Sequence, residues 1–156
     1  MAGTPPKAPA VELPAGLMEI AQVDDAGLLF ISPVIHDWQV VADRGIDTVI
    51  DLEGGLDVGV PTEPHEILYV YYPILDEALP EPTRTDAVAS LGALLVGQGH
   101  RVLSHCGMGF NRSALIAGLI LHKLGMPGRQ VVAQIRARRP GALYNERFAE
   151  YLQSLG

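Results

Sequence analysis

A short run with strand character, Arg101–Ser104, leads directly into the glycine-bearing stretch HCGMGFNRS and then into a run with helical spacing, Ser113–Leu124. A chain that passes from strand to helix through so short a turn brings the helix N-terminus up against the end of the strand. Units of this kind stack into a parallel sheet with helices on its faces. The rest of the chain repeats the alternation. Gly27–Ile31 reads as a strand, Asp37–Arg44 as a short helix ended by Gly45, and Thr48–Leu52 as a β-branched strand. Residues 54–64, rich in Gly, Pro and Asp, read as loop before a further strand, Ile67–Ile74. Thr83 is placed to cap a helix running to about Val96, which Gly97–Gly99 stops. Helices over Gly128–Arg138, closed by Pro140 and Gly141, and over Glu146–Leu155 complete the chain. The expected fold is α/β: a single domain with a central, mostly parallel sheet flanked by helices, and the glycine-bearing loop between a strand and a helix N-terminus.

The 156 residues suit one hydrophobic core. Residues 1–16 are rich in proline and poor in large apolar side chains, and are expected to be a flexible lead-in to a domain spanning 17–156. A net charge of −7 disfavours nucleic acid as a partner. No apolar run reaches the roughly 20 residues that span a bilayer, and no signal sequence is legible, so no membrane association and a cytoplasmic location are expected. The chain has a single cysteine, Cys106, which therefore serves packing or chemistry rather than an internal disulfide.

Its neighbours favour chemistry. Cys106 and Arg112 bracket five residues that include Gly107 and Gly109. Small residues let the backbone curl so that successive N–H groups point inward, and the helix that follows adds the positive end of its dipole. The product is a concave anion site. Arginine at its end can give two parallel hydrogen bonds to phosphate oxygens, so Arg112 is the expected clamp. Thiols in such fields ionise with pKa values of about 3.5–7.5, which makes Cys106 the expected nucleophile. Ser113 either hydrogen-bonds the departing sulfur or simply opens the helix. His105 either orients the loop or is a satisfied buried histidine. Gly107, Met108, Gly109, Phe110 and Asn111 would form the phosphate-binding wall, with Met108 at its rim.

HCGMGFNRS resembles the HCxxGxxRS signature of dual-specificity phosphatases, within the protein tyrosine phosphatase superfamily, at every fixed position. GIDTVIDLE is similar to the family's early strand segment and RRPGALYNERFAEYL to its C-terminal helices, so the likeness spans roughly residues 27–155. It implies a tyrosine-phosphatase-like fold, a cysteinyl-phosphate mechanism, phosphoprotein substrates and no cofactor. The leaving group must be protonated, and the family places an aspartate on a mobile loop about thirty residues before the cysteine. PILDEALP puts Asp76 in that register as general acid. Asn145 matches a polar family position that helps to place the hydrolytic water. No metal is expected, because the histidines and acids show no ligand spacing.

Arg129, Arg136, Arg138 and Arg139 form a late basic run that reads as a solvated helix face, the alternative being a patch for an acidic substrate. Trp38, Tyr71 and Tyr72 read as core or strand residues. The variable signature positions carry none of the lysines that phosphoinositide-directed relatives use, which favours protein over lipid. GFNR also resembles the loop of cysteine-type RNA 5′-triphosphatases, but those lack the aspartate acid. A rhodanese-type sulfurtransferase and a non-catalytic phospho-binding module fit less well, since Cys106, Arg112 and Asp76 are all present.

Overall fold

Five strands make one sheet in the order β1-β2-β5-β3-β4: β1 (Ala21–Gln22), β2 (Leu29–Ser32), β3 (Thr48–Asp51), β4 (Leu68–Tyr71) and β5 (Val102–His105). The structure is a computed structural model and describes residues 19–156; the proline-rich lead-in expected over 1–16 lies outside the described residues. Strands β2 to β5 pair in parallel and only the two-residue edge strand β1 is antiparallel, so the expectation of a mostly parallel sheet holds. β1 has no counterpart in the sequence reading. Buried Asp24 closes its hairpin by accepting from the N–H groups of Leu28 and Leu29.

Alternation along the strands sorts side chains onto two faces. Leu29, Ile31, Ile50 and Val102 point into the larger core, while Phe30, Val49 and Leu103 point into the smaller one. Helix α1 (Trp38–Asp43) covers the smaller core with Val41. Helices α2 (Pro82–Gly97), α3 (Arg112–Lys123), α4 (Gly128–Arg138) and α5 (Glu146–Ser154) serve the larger one. Every residue of α3 from Ser113 to Leu121 is buried. An apolar surface all round suits a helix that packs on the sheet and is itself covered by others. None of the described helices is long and apolar enough to cross a membrane.

Element boundaries shift by one to a few residues from the sequence reading. The strand expected over Ile67–Ile74 is shorter, because Pro73 has no N–H to extend the ladder. Helix α2 is capped by Glu81 rather than Thr83: Pro82 takes the first helical position, and the Glu81 carboxylate accepts from the N–H groups of Thr83 and Arg84. Those two donors hold Glu81 down to about 2. Strand β5 runs one residue further than expected and takes His105 into the sheet.

Candidate active site

Cys106 follows β5 at once and Arg112 opens α3, so the six-residue step between them crosses from the C-terminal end of a central strand to a helix N-terminus. In open parallel sheets this is where ligands bind. The path of the loop is fixed from behind. Its carbonyls are all engaged: Gly107 O accepts from Val34 N, Met108 O and Gly109 O from Arg139, Phe110 O from Leu143 N, and Asn111 O from Leu115 N. The backbone N–H groups of residues 107–111 find no acceptor among the described residues. With every carbonyl turned outward, those donors face the loop's interior, which is the geometry of an anion cradle.

Two glycines permit this curl. Gly109 has φ +73°, and a Cβ there would lie 2.6 Å from Pro33 N and Ser32 C, so the loop rests directly on the backbone after β2. A Cβ on Gly107 would meet the Glu53 carboxylate, which reaches across to Arg112.

Cys106 is 2% exposed at the floor of the loop, and its Sγ lies 3.4 Å from Ser113 Oγ. Ser104 Oγ donates to the Ser113 carbonyl and fixes the start of α3 against β5. Arg112 donates through Nη2 to Glu53 at 2.8 Å and through Nη1 to the carbonyls of Ile74 and Leu52. Its buried Nε has no partner among the described residues. A guanidinium held on one side with a free N–H on the other is set to receive an oxyanion.

Asp76 stands exposed on the loop after β4, where two amides hold it. Asn111 Nδ2 donates to Oδ2 at 2.8 Å and Asn145 Nδ2 donates to Oδ1 at 2.9 Å. Asn145 also donates to the Glu77 carbonyl and accepts from the first N–H groups of α5, and its own N–H donates to Asn111 Oδ1. Asn145 thus ties the Asp76 loop, the Cys106–Arg112 loop and α5 together. The side chain of Asn111, expected in the phosphate-binding wall, is engaged with Asp76 and with the Asn145 N–H.

His105 is buried, with Nε2 2.6 Å from Asp57 Oδ2 and 3.6 Å from Asp51 Oδ1. The Tyr69 hydroxyl donates to Asp51 and lies 3.2 Å from Asp57. Burial pushes the Asp51 carboxyl up, against hydrogen bonds from Tyr69 and the Glu53 N–H that push it down. Burial and Asp51 together raise the Tyr69 phenol. The absence of ligand spacing in the sequence is therefore incomplete as a guide to space: Asp51, Asp57 and His105 bring ligand-type atoms within 4.8 Å of one another. His105 Nε2 is bonded to Asp57, and Asp51 accepts from Tyr69 and from the Glu53 N–H.

One expectation is overturned. Arg139 does not belong to a solvated helix face; it is 1% exposed, lies past the end of α4 and turns inward. It donates through Nε to Gly109 O and through Nη2 to Met108 O, both at 2.9 Å, with the Phe110 ring 4.4 Å from its guanidinium carbon. Burial lowers its pKa, and the charge of Cys106 acts the other way. Arg136 likewise serves carbonyls, those of Ala142 and Leu143, while Arg138 pairs with Asp25. The sequence reading also missed Glu53, Asp51, Asp57 and Tyr69.

No family model matches the chain, and no curated protein matches it by sequence. Solved structures do. The human tyrosine phosphatase-like serine/threonine/tyrosine-interacting protein is similar at 22% identity with a TM-score of 0.70, over 87% of this chain and 94% of that one. Human DUSP28 is similar at 18% identity and 0.73, over 92% and 95%. DUSP15 is similar at 22% identity and 0.68, over 86% and 85%. At such identities the likeness concerns the course of the backbone, and in that respect the chain has the fold of the dual-specificity phosphatases.

Proposed function

We propose that the protein is a metal-independent, cysteine-dependent phosphatase that hydrolyses phosphate monoesters on phosphoproteins, phosphotyrosine and also phosphoserine or phosphothreonine. The observation that carries this reading is the loop in which every carbonyl from Gly107 to Asn111 is engaged while the N–H groups of the same residues and Arg112 Nε are not. Cys106 Sγ lies at its floor. A fold alone does not assign chemistry, and the site does.

In this mechanism the Cys106 thiolate attacks phosphorus, the S–P bond forms and the P–O bond to the leaving group breaks. The loop N–H groups and Arg112 stabilise the equatorial oxygens as charge develops there. Asp76 delivers its proton to the departing oxygen and afterwards takes one from the water that attacks the cysteinyl phosphate. That second step breaks the S–P bond, releases inorganic phosphate and restores the thiolate, towards which the Ser113 hydroxyl can turn as a donor. The acid loop, expected to be mobile, is held by Asn111 and Asn145 close to the phosphate loop, as this role requires.

Phosphate release from a small aryl phosphate, with a chelator present, tests the reading. The wild type is expected to turn over and Cys106→Ser to be inactive. Equal turnover by both proteins, or loss of activity on chelation, would refute it.

A further inference from the structure

Eleven lysines and arginines are present, and all but Lys7 lie among the described residues. Where they stand decides what can approach Cys106. Arg84, Lys123 and Arg138 are paired with Glu81, Asp86 and Asp25. Arg101 and Arg136 donate to backbone carbonyls. Arg44 lies over the Phe30 ring and Arg129 is the second residue of α4. Arg139 is spent on the back of the phosphate loop and covered by Phe110. Arg147, in the first turn of α5, is exposed, and its backbone N–H donates to Asn145. Among the described residues Arg112 is the cation whose bonds hold it at the cradle, and it is already paired with Glu53.

What surrounds the cradle is apolar and acidic. Met108, within the loop, is 50% exposed. Tyr144 is 63% exposed, with its ring centroid 6.2 Å from that of Phe110. Leu75 is 71% exposed beside Asp76, and Glu77 follows on the same loop with its side chain also in solvent. One phosphate satisfies the cradle's donors. A second anion next to it would meet the carboxylates of Glu53, Asp76 and Glu77, and among the described residues no ion pair or hydrogen bond holds a further cation there.

We propose, on the basis of the phosphatase reading above, that the substrate is a protein segment carrying a single phosphomonoester with apolar or basic neighbours. A second phosphate or an acidic side chain next to it is rejected. Met108 and Tyr144 supply the apolar contact, and Glu77 contributes to the rejection. Doubly phosphorylated segments and 5′-triphosphate RNA fall outside this class.

Selectivity can be read by binding, independently of turnover. Fluorescence polarisation on Cys106→Ser would compare four matched monophosphopeptides: one with apolar neighbours, one with arginine neighbours, one with glutamate neighbours and one with a second phosphate two residues away. The glutamate and doubly phosphorylated peptides are expected to bind roughly tenfold more weakly at low salt, with the gap shrinking as salt is raised. Glu77→Lys should narrow the gap about threefold, and Tyr144→Ala should weaken the apolar peptide about threefold or more. Equal or tighter binding of the acidic or doubly phosphorylated peptide, or indifference to both substitutions, would overturn the proposal. If the expected binding order held while the wild type released no phosphate from an aryl phosphate, the catalytic reading would fall and the preference would stand.

Discussion

The side-chain amide of Asn111 donates to the carboxylate of Asp76 over 2.8 Å, so a residue of the phosphate loop holds the proposed acid directly. Asn111 is in turn fixed by the N–H of Asn145 on its Oδ1. A general acid counts for most when the leaving group is poor. Asn111→Ala is therefore expected to slow hydrolysis of alkyl phosphates by about tenfold or more while sparing activated aryl phosphates, with Asp76→Ala going further in the same direction, by about 10²–10⁴-fold. Rates plotted against leaving-group pKa would show it: a steeper slope for both variants is the expected outcome, and a uniform loss for Asn111→Ala would mean a structural role only.

Arg139 is the only side chain bonded to the carbonyls of Met108 and Gly109 among the described residues. Arg139→Met keeps much of the bulk under Phe110 but takes the donor from the buried Gly109 carbonyl and from the partly buried Met108 carbonyl. The cost should be about 2 kcal/mol, a fall in Tm of roughly 4–8 °C for a domain of this size. Phosphate affinity should fall at temperatures where the fold is intact, because the N–H groups of the same peptides lose their orientation. Thermal melts with and without phosphate would separate the two effects, the ligand-induced rise in Tm being lost in the variant.

Gly109→Ala places a methyl group within 2.6 Å of backbone atoms of Ser32 and Pro33 at a φ of +73°. No side-chain rotation can relieve a contact with backbone, and the left-handed conformation adds strain of its own, of order 1–3 kcal/mol. The variant is expected to fold with the loop displaced and to lose at least about 10²-fold in kcat/KM. Thermal stability measured alongside the rate checks that the loss is local.

The cap of α2 makes an acid-sensitive joint. Glu81 is held down to about 2 by the N–H groups of Arg84 and Thr83, against 4.5 for an ordinary glutamate. A carboxylate whose folded-state value is depressed stabilises the fold fully above the unfolded value and loses that contribution as pH falls from about 4.5 towards 2. Amide protection factors at Thr83 and Arg84, taken relative to intrinsic exchange at each pH, should therefore fall over that window in the wild type. In Glu81→Gln they should be low already at neutral pH and flat across the window.

What was legible in the sequence was what neighbouring residues decide together. The strand, the glycines, the cysteine and the arginine of the central loop lie within a dozen positions, and their order alone implies a cradle at a helix N-terminus. Arg139 was misread because a residue directly after a basic helix looks like its continuation, whereas its backbone turns away at φ −131°, ψ 86° and sends the side chain inward. Pro82 did carry a usable signal, since a proline prefers the first helical position and so points to the residue before it as the cap. Glu53 and Asp57 gave none. Their partners Arg112 and His105 lie 59 and 48 residues away, and only the pairing of β3 with β5 brings them together.

The outward carbonyls of the phosphate loop answer to several separate pieces of the chain: the turn after β2, the residue past α4, the stretch before α5 and the first turn of α3. A receptor moored at that many points has little slack of its own, so its shape reports the state of the whole domain. Heating, denaturant or a distant core substitution should loosen one mooring before the sheet gives way. Phosphate affinity would then act as an early gauge of damage, declining while the secondary structure seen by circular dichroism is still complete.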